Sequence, residues 1–331
     1  MAVNGYDDQS AYGWGRALLE DEAAGFGDEV SEDALPRYID PLNDWGFKRL
    51  FGTEMNKEFL VAFLMTIFPD KRIKDITYMP TEQLGMAAGD RNARFDVMCK
   101  DESGEKFIIE VQLAYQKHFR ERALYYSGMA LHSQGVKGRK WNYNIKGVYF
   151  VGLQNFAFGP ERGGGLIRRY SVRDDENGDL MTDKLRFVFI EIGRFDKGPD
   201  ELKTNLDKWF YVMKNLHRLL ERPAALVDRI FRRFFEAAEV ISLTKDEKQQ
   251  YVSNMINERD TYNQIAYARE FGREEGIKQG IKQGREQGLE QGKVAEREAI
   301  ALRMIGANTP IEFIVKCTGL DKAAVEALAK H

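Results

Sequence analysis

Along residues 37–195 the apolar positions alternate between a helical and an extended period. Phe47, Leu50 and Phe51 recur at i, i+3 and i+4 behind a turn-rich stretch, residues 39–46, in which Asn43 or Asp44 is placed to cap a helix. After Gly52 the run NKEFLVAFLMTIF, residues 56–68, is strongly apolar and reads as a second helix that Pro69 stops. Residues 73–84 read as extended. Residues 94–99 and 106–113 are short apolar strands, and the polar turn between them contains Gly104, which predicts an antiparallel hairpin. A helix is expected over 115–135, with Phe119, Leu124, Met129 and Leu131 among its apolar positions. A buried strand follows at 146–153, then a charged loop holding Gly163 to Gly165 and the acidic stretch 174–179, and a last strand at 185–192. The order helix, strand, strand, strand, helix, strand predicts an α/β fold rather than a helical bundle.

The remainder of the chain reads as all-α. Leu202, Leu206, Phe210, Met213, Leu216 and Leu220 keep a helical period up to a break at Pro223, and Leu226, Ile230, Phe234 and Ala238 continue it. From Gly272 to Gly292 a glycine stands at every fourth residue, between charged and polar spacers. Each interior helical glycine costs about 1 kcal/mol relative to alanine, yet the spacers are good helix formers. The glycines form a bare, slowly rotating stripe, read either as a helix–helix association surface between subunits or as a solvated linker helix. The charged spacers rule out a membrane helix pair. A helix is expected at 295–305, then Asn308 as N-cap with Pro310 just inside a further helix, and Thr318 to Asp321 between two short helices. That pair reads as a small packing or dimerisation module rather than a DNA-reading one. The expected divisions are a leader at 1–36, a core at 37–195, a helical region at 196–260, the glycine-repeat helix at 261–299 and a small helical module at 300–331.

Composition narrows the class. The chain has 331 residues, 43% hydrophobic and 31% charged, enough to bury a sizeable core. Two cysteines and four histidines do not suggest a disulfide framework, a structural zinc site or a His-rich metal site. The sequence has no apolar run of membrane-spanning length and no secretion signal at its start, so a cytoplasmic location without membrane contact is expected. The net charge is −3, of which residues 1–36, with nine acids to one base, contribute −8, leaving +5 on the rest. The leader is expected to be a disordered, solubilising segment. A body at +5 is compatible with nucleic-acid binding without demanding it.

The candidate chemistry lies on the predicted hairpin. Asp96 and Glu110 are carboxylates flanked by apolar residues on core-like strands, and burying either without a partner costs several kcal/mol. The hairpin sets them side by side, and Gln112, two residues beyond Glu110, faces the same way. Two carboxylates and an amide on one face suit a hard divalent cation. The alternative is an ordinary sheet in which Arg91, Arg94 or Lys106 pairs with the two acids.

Three stretches resemble the PD-(D/E)XK nuclease family transposases, which are related to the recombination-promoting nucleases. They are the opening Asp44-Trp-Gly-Phe47-Lys48-Arg-Leu-Phe51-Gly52, the pair Phe95-Asp96, and Ile109-Glu110-Val111-Gln112. The resemblance continues through Arg122-Ala-Leu-Tyr125-Tyr126, the strand ending in Phe150 and the glycine-repeat tail, covering about residues 38–330. It implies a restriction-endonuclease-like core, αβββαβ, with a mixed sheet flanked by helices and an all-α C-terminal region. It implies an endonuclease that hydrolyses DNA phosphodiester bonds with Mg²⁺ (or Mn²⁺), in transposition or recombination. On that basis Asp96 and Glu110 are metal ligands and the Val111 carbonyl completes the shell. Gln112 stands where the broader superfamily has lysine, so it would orient water or phosphate by hydrogen bonds. Asp44 and Glu58 are candidates for an additional acid, though Asp44 also reads as a cap and Glu58 as a surface residue. Lys48 could touch phosphate, and Gln116, Lys117, Arg120 and Arg122 could line the DNA side. At least one of Tyr125 and Tyr126 is expected to pack in the core. The implied partner is DNA; the glycine stripe adds the expectation of a second copy of the chain, joined through the C-terminal helices. The competing expectation is a relative of the same fold that binds nucleic acid or oligomerises but no longer cuts. The sequence carries no evident integrase-type Asp-Asp-Glu triad.

Overall fold

The computed structural model describes residues 35–83, 93–114, 116–136, 138, 141–156 and 165–329. The acidic leader up to residue 34, Arg91, and Gly163 and Gly164 lie outside the described residues. The chain divides into two compact units, Met1–Asp260 and Thr261–His331.

The first unit is built on a six-stranded sheet in the order β1-β4-β5-β6-β8-β7, formed by Ile76–Tyr78 (β1), Val97–Asp101 (β4), Lys106–Gln112 (β5), Val148–Gln154 (β6), Ile167–Arg173 (β7) and Leu180–Glu191 (β8). Glu82–Gln83 (β2) and Ala93–Arg94 (β3) make a separate two-stranded ribbon. β4 runs antiparallel to both its neighbours, β1 and β5; β5, β6 and β8 are parallel, and β7 returns antiparallel along the outer edge. This is a restriction-endonuclease-like α/β fold with a mixed sheet, as the resemblance implied. The middle stretches of the central strands, residues 107–109 of β5 and 148–153 of β6, are apolar because both faces are covered. Val97, Cys99, Phe107, Ile109, Val151 and Leu153 face one core, and Met98, Ile108, Phe150 and Phe189 face the other.

The first face carries helices Asp44–Phe51 (α1), Lys57–Ile67 (α2), Asn205–Asn215 (α4) and Arg229–Ala238 (α5), and the second carries Phe119–His132 (α3). The aromatic centre of the larger core is Trp209, whose ring lies 4.9–5.9 Å from Phe51, Phe63, Phe231 and Phe234. Residues between 200 and 243 therefore share their apolar core with the sheet. The long helix Lys245–Gly306 (α6) starts at a reciprocal cap: Thr244 Oγ1 accepts from Glu247 N–H and the Glu247 carboxylate accepts from Thr244 N–H. Its residues up to Asp260 belong to the first unit, where Tyr251 is fully buried. Among the described residues no helix is long and apolar enough to cross a membrane.

In the second unit the glycine repeat is helical, and the segment expected as a separate helix at 295–305 is the end of the same helix. Among the described residues, a Cβ built on any glycine from Gly272 to Gly292 would meet nothing within 4 Å. Ala301, Ile314 and Val325 form a small core between the end of α6 and the helices Ile311–Thr318 (α7) and Lys322–Leu328 (α8). Pro310 is the N-cap of α7 rather than its first helical residue, while Asn308 takes a positive φ of 58° in the turn before it.

Two strand expectations change. The extended stretch 94–99 is not one strand: it bends at Asp96, so that β3 joins β2 and β4 begins at Val97. The region between residue 165 and the final strand holds β7, and β8 begins at Leu180 rather than at 185. β7 reads Ile-Arg-Arg-Tyr-Ser-Val-Arg and sits half-exposed on an edge, where packing asks little of its sequence.

Candidate active site

The bend at Asp96 makes the site. The β4–β5 register pairs Val97 with Ile109, so the next pair outward is Asp96 and Glu110. Lys106 N–H and the Gln112 carbonyl bond to the β6 side, which turns the backbone groups of the odd-numbered residues of β5 towards β4. β4 stops at Val97, so the N–H of Val111 meets no strand there; Asp96 Oδ2 accepts it at 2.7 Å. The carbonyl of Val111 points to that same edge. Asp96 N–H in turn donates to Glu110 Oε1 at 3.1 Å. The two carboxylates are thus locked together by each other's strand ends.

Helix α1 brings the first cation. Asn43 is its cap, with Oδ1 accepting from Gly46 N–H at 3.0 Å, which leaves Asp44 as the first helical residue. Gly46 is required by close approach, since a Cβ there would stand 2.1 Å from the Asp40 carbonyl oxygen. Lys48, one turn on, places Nζ 2.6 Å from Asp44 Oδ1 and 3.8 Å from Asp96 Oδ1. Helix α3 brings the second cation. Arg122 donates to Gln112 Oε1 at 2.8 Å and to Gln116 Oε1 at 2.6 Å, and it lies 3.6 Å from Glu110 Oε2. Its guanidinium also rests over the Phe119 ring, 4.9 Å from the centroid. Phe119 packs directly on Gly152, the β6 neighbour of Glu110, where a Cβ would stand 3.1 Å from the ring.

Burial pushes the carboxyl pKa of both acids up. For Glu110 the charge of Asp96 adds to this, and Arg122, the Asp96 N–H and Lys48 oppose it. For Asp96 the Val111 N–H is the main opposing influence, while the neighbouring Asp44 carboxylate raises it further and Lys48 lowers it. The Asp96 side chain is 19% exposed and that of Glu110 5%, so a ligand reaching the pair meets Asp96 first.

The remaining expected residues divide. Asp44 stands at the site beside Lys48, whereas Glu58 is engaged by Arg233 of α5 at 2.5 Å. Of the alternative partners for the two acids, the two among the described residues do not serve. Lys106 donates to the Ala130 carbonyl and to Ser133 Oγ, and Arg94 is exposed in the β2–β3 ribbon. Gln116, Lys117 and Arg120 are exposed at the start of α3, whereas Arg122 is turned inward onto Glu110 and Gln112. Tyr126 packs edge-on against Phe95 at 5.1 Å, and Tyr125 is 46% exposed. Two buried groups in the row beyond Gln112, Gln154 and Glu191, went unnoticed in the sequence. They pair in register with it across β6 and β8, and Glu191 holds Arg168 and Arg194. Their signal is a polar residue closing an apolar strand.

Comparison with known families adds the last observation: the family model described as PD-(D/E)XK nuclease family transposase matches residues 41–268. The chain belongs to this family. The matched span takes in the whole sheet together with α1 to α5 and the start of α6. Comparison with curated proteins and with solved structures yields no match. A PD-(D/E)XK transposase has a nuclease-type function linked to transposition, with DNA as the substrate of the family, and such nucleases generally use divalent metals. The donor set fits that chemistry. Among the described residues no three His, Cys, Asp or Glu side chains group to hold an ion by themselves. Mg²⁺, however, takes one or two carboxylates and fills its shell with waters and substrate phosphate, which Asp96, Glu110 and the Val111 carbonyl would leave room for.

Proposed function

We propose that the protein is a divalent-metal-dependent DNA endonuclease that hydrolyses phosphodiester bonds during transposition or recombination. The observation that carries this reading is the buried Asp96–Glu110 pair, whose oxygens converge at a broken strand edge and whose charge Lys48 and Arg122 only partly compensate. Asp96, Glu110 and the Val111 carbonyl would hold Mg²⁺ or Mn²⁺, with Asp44 as a further acid one helix turn from Lys48. The bound ion would supply Lewis acidity and a nucleophilic water at neutral pH. Gln112 cannot carry charge; its amide, steadied by Arg122, orients water or a phosphate oxygen by hydrogen bonds. Lys48 offers an ammonium beside Asp96 to the incoming phosphate. Gln116, Lys117 and Arg120, exposed at the start of α3, contact the DNA backbone further out.

A second reading has one observation in its favour: Arg122 already sits between Glu110 and Gln112. In that reading the chain binds nucleic acid or assembles without cutting. One experiment separates them. Supercoiled plasmid is incubated with Mg²⁺ or Mn²⁺ and wild type, Asp96→Ala or Glu110→Ala. Nicking by wild type that both substitutions abolish is the expected result; nicking that neither lowers removes the site assignment. Divalent ions should also raise the melting temperature of wild type and not of Asp96→Ala.

A further inference from the structure

The helix that carries Asp44 and Lys48 is gripped at its N-terminus by a helix about two hundred residues away in sequence. Glu258 of α6 accepts from Asp44 N–H at 3.0 Å on Oε1 and from Asn43 Nδ2 at 2.6 Å on Oε2. Asn254, one turn earlier, accepts from Trp45 N–H at 3.2 Å. Gln250 accepts from the Trp45 indole at 3.0 Å, and Glu247 pairs with Arg49 at 2.9 Å. These four α6 residues lie three or four positions apart and so share one helix face. The first N–H groups of any helix lack intrahelical partners. In α1 its own cap, Asn43, serves Gly46, and α6 serves Asp44 and Trp45. A carboxylate at that end is also favoured by the helix dipole. The family match, residues 41–268, begins just before α1 and ends just after this face of α6.

We infer that Glu258 and Asn254 are positioning residues of the site: they set the N-terminus of α1 so that Asp44 and Lys48 stand against Asp96. The inference rests on the cleavage reading above and adds to it. Lys48 Nζ is tied to Asp44 at 2.6 Å and to Asp96 at 3.8 Å, so a small rotation or slide of α1 moves the ammonium off the carboxylate. The residues doing the holding touch none of the reacting groups; they act through the backbone of α1.

The test uses the full-length chain with Glu258→Ala, Glu258→Gln and Asn254→Ala, each checked for folding by its melting temperature. Nicking kinetics with Mn²⁺ give kcat and KM, and hydrogen–deuterium exchange follows the amides of residues 41–52. Expected are a kcat lowered about 10- to 100-fold in Glu258→Ala, the size of effect that a misplacement near 1 Å produces, and a KM for DNA changed by less than about twofold. Exchange over 41–52 should speed up in the same variant. Glu258→Gln keeps one acceptor oxygen for two donors and should fall between wild type and Glu258→Ala. Asn254→Ala should move both readouts in the same direction. Because Glu258 acts through Asp44 and Lys48, adding Glu258→Ala to Asp44→Ala/Lys48→Ala should slow nicking no further. A wild-type kcat or unchanged exchange in Glu258→Ala, or a further loss in that triple variant, would overturn the inference. If Asp96→Ala abolishes nicking and Glu258→Ala does not lower it, this inference alone falls. If Asp96→Ala nicks normally, the cleavage reading falls, while the exchange measurement still reports on the grip of α6.

Discussion

Replacing Glu110 by glutamine should make the metal-free protein more stable at alkaline pH and should leave it unchanged, or slightly weaker, in acid. Burial and the charge of Asp96 hold the Glu110 pKa above its ordinary value, so the folded chain binds that proton more tightly than the unfolded chain does. The stabilisation from this proton is complete below the unfolded pKa and is lost as pH rises through the folded one. Above that point the wild-type protein carries an ionised Glu110 whose side chain is 5% exposed beside a second carboxylate. Each pH unit by which the folded pKa is lifted is worth about 1.4 kcal/mol. For a unit of this size 1 kcal/mol moves the melting temperature by about 2–4 °C, so a lift of a single unit gives about 3–6 °C. The amide of Glu110→Gln keeps an oxygen for the Asp96 N–H, and Arg122 keeps its bonds to Gln112 and Gln116. Melting curves in chelator at a series of pH values from about 5 to about 8.5 measure the difference. It should grow with pH. A difference independent of pH, or a loss of stability at every pH, would mean that Arg122 and Lys48 fully compensate the pair, and the argument for a cation-seeking site would fail.

Other consequences follow from the same structure. Gly152→Val forces atoms into Phe189 Cδ1, already 2.9 Å from a Cβ position, and into the Phe119 ring; it should cost about 1–3 kcal/mol in urea unfolding and depress nicking by displacing Arg122. Cys99 is buried with its thiol pushed up to about 12, while Cys317 is exposed, so a disulfide-exchange reagent should titrate one thiol per native chain and two only in denaturant. A Cβ built on the glycine stripe of α6 meets none of the described residues of its own chain, and we propose that the stripe packs against a second copy. Gly280→Leu with Gly284→Leu should then lower the mass seen by light scattering, and an unchanged mass would remove that association.

What the sequence by itself determined is local. The β4–β5 hairpin, its partners Asp96 and Glu110, and the side of the sheet that Gln112 shares with Glu110 are set by strand periodicity and one short turn, and both are legible over fewer than twenty residues. The alternation of helix and strand, and the apolar central strands covered on both faces, follow in the same way. The bend that frees the Val111 backbone, the edge strand β7 and the merging of residues 200–243 into the main core were decided elsewhere. So were the inward turn of Arg122, the commitment of Glu58 to Arg233, and the hold of Glu258 and Asn254 on α1. Each depends on which distant element arrives opposite a given side chain, and a polar residue on a helix reads the same whether it meets water or a partner two hundred positions away. The lifted pKa of the two acids is the clearest case. Carboxylates on apolar strands announce that something must compensate them, but the low dielectric that lifts them, and the lysine and arginine that only half relieve it, exist once the chain has folded around them.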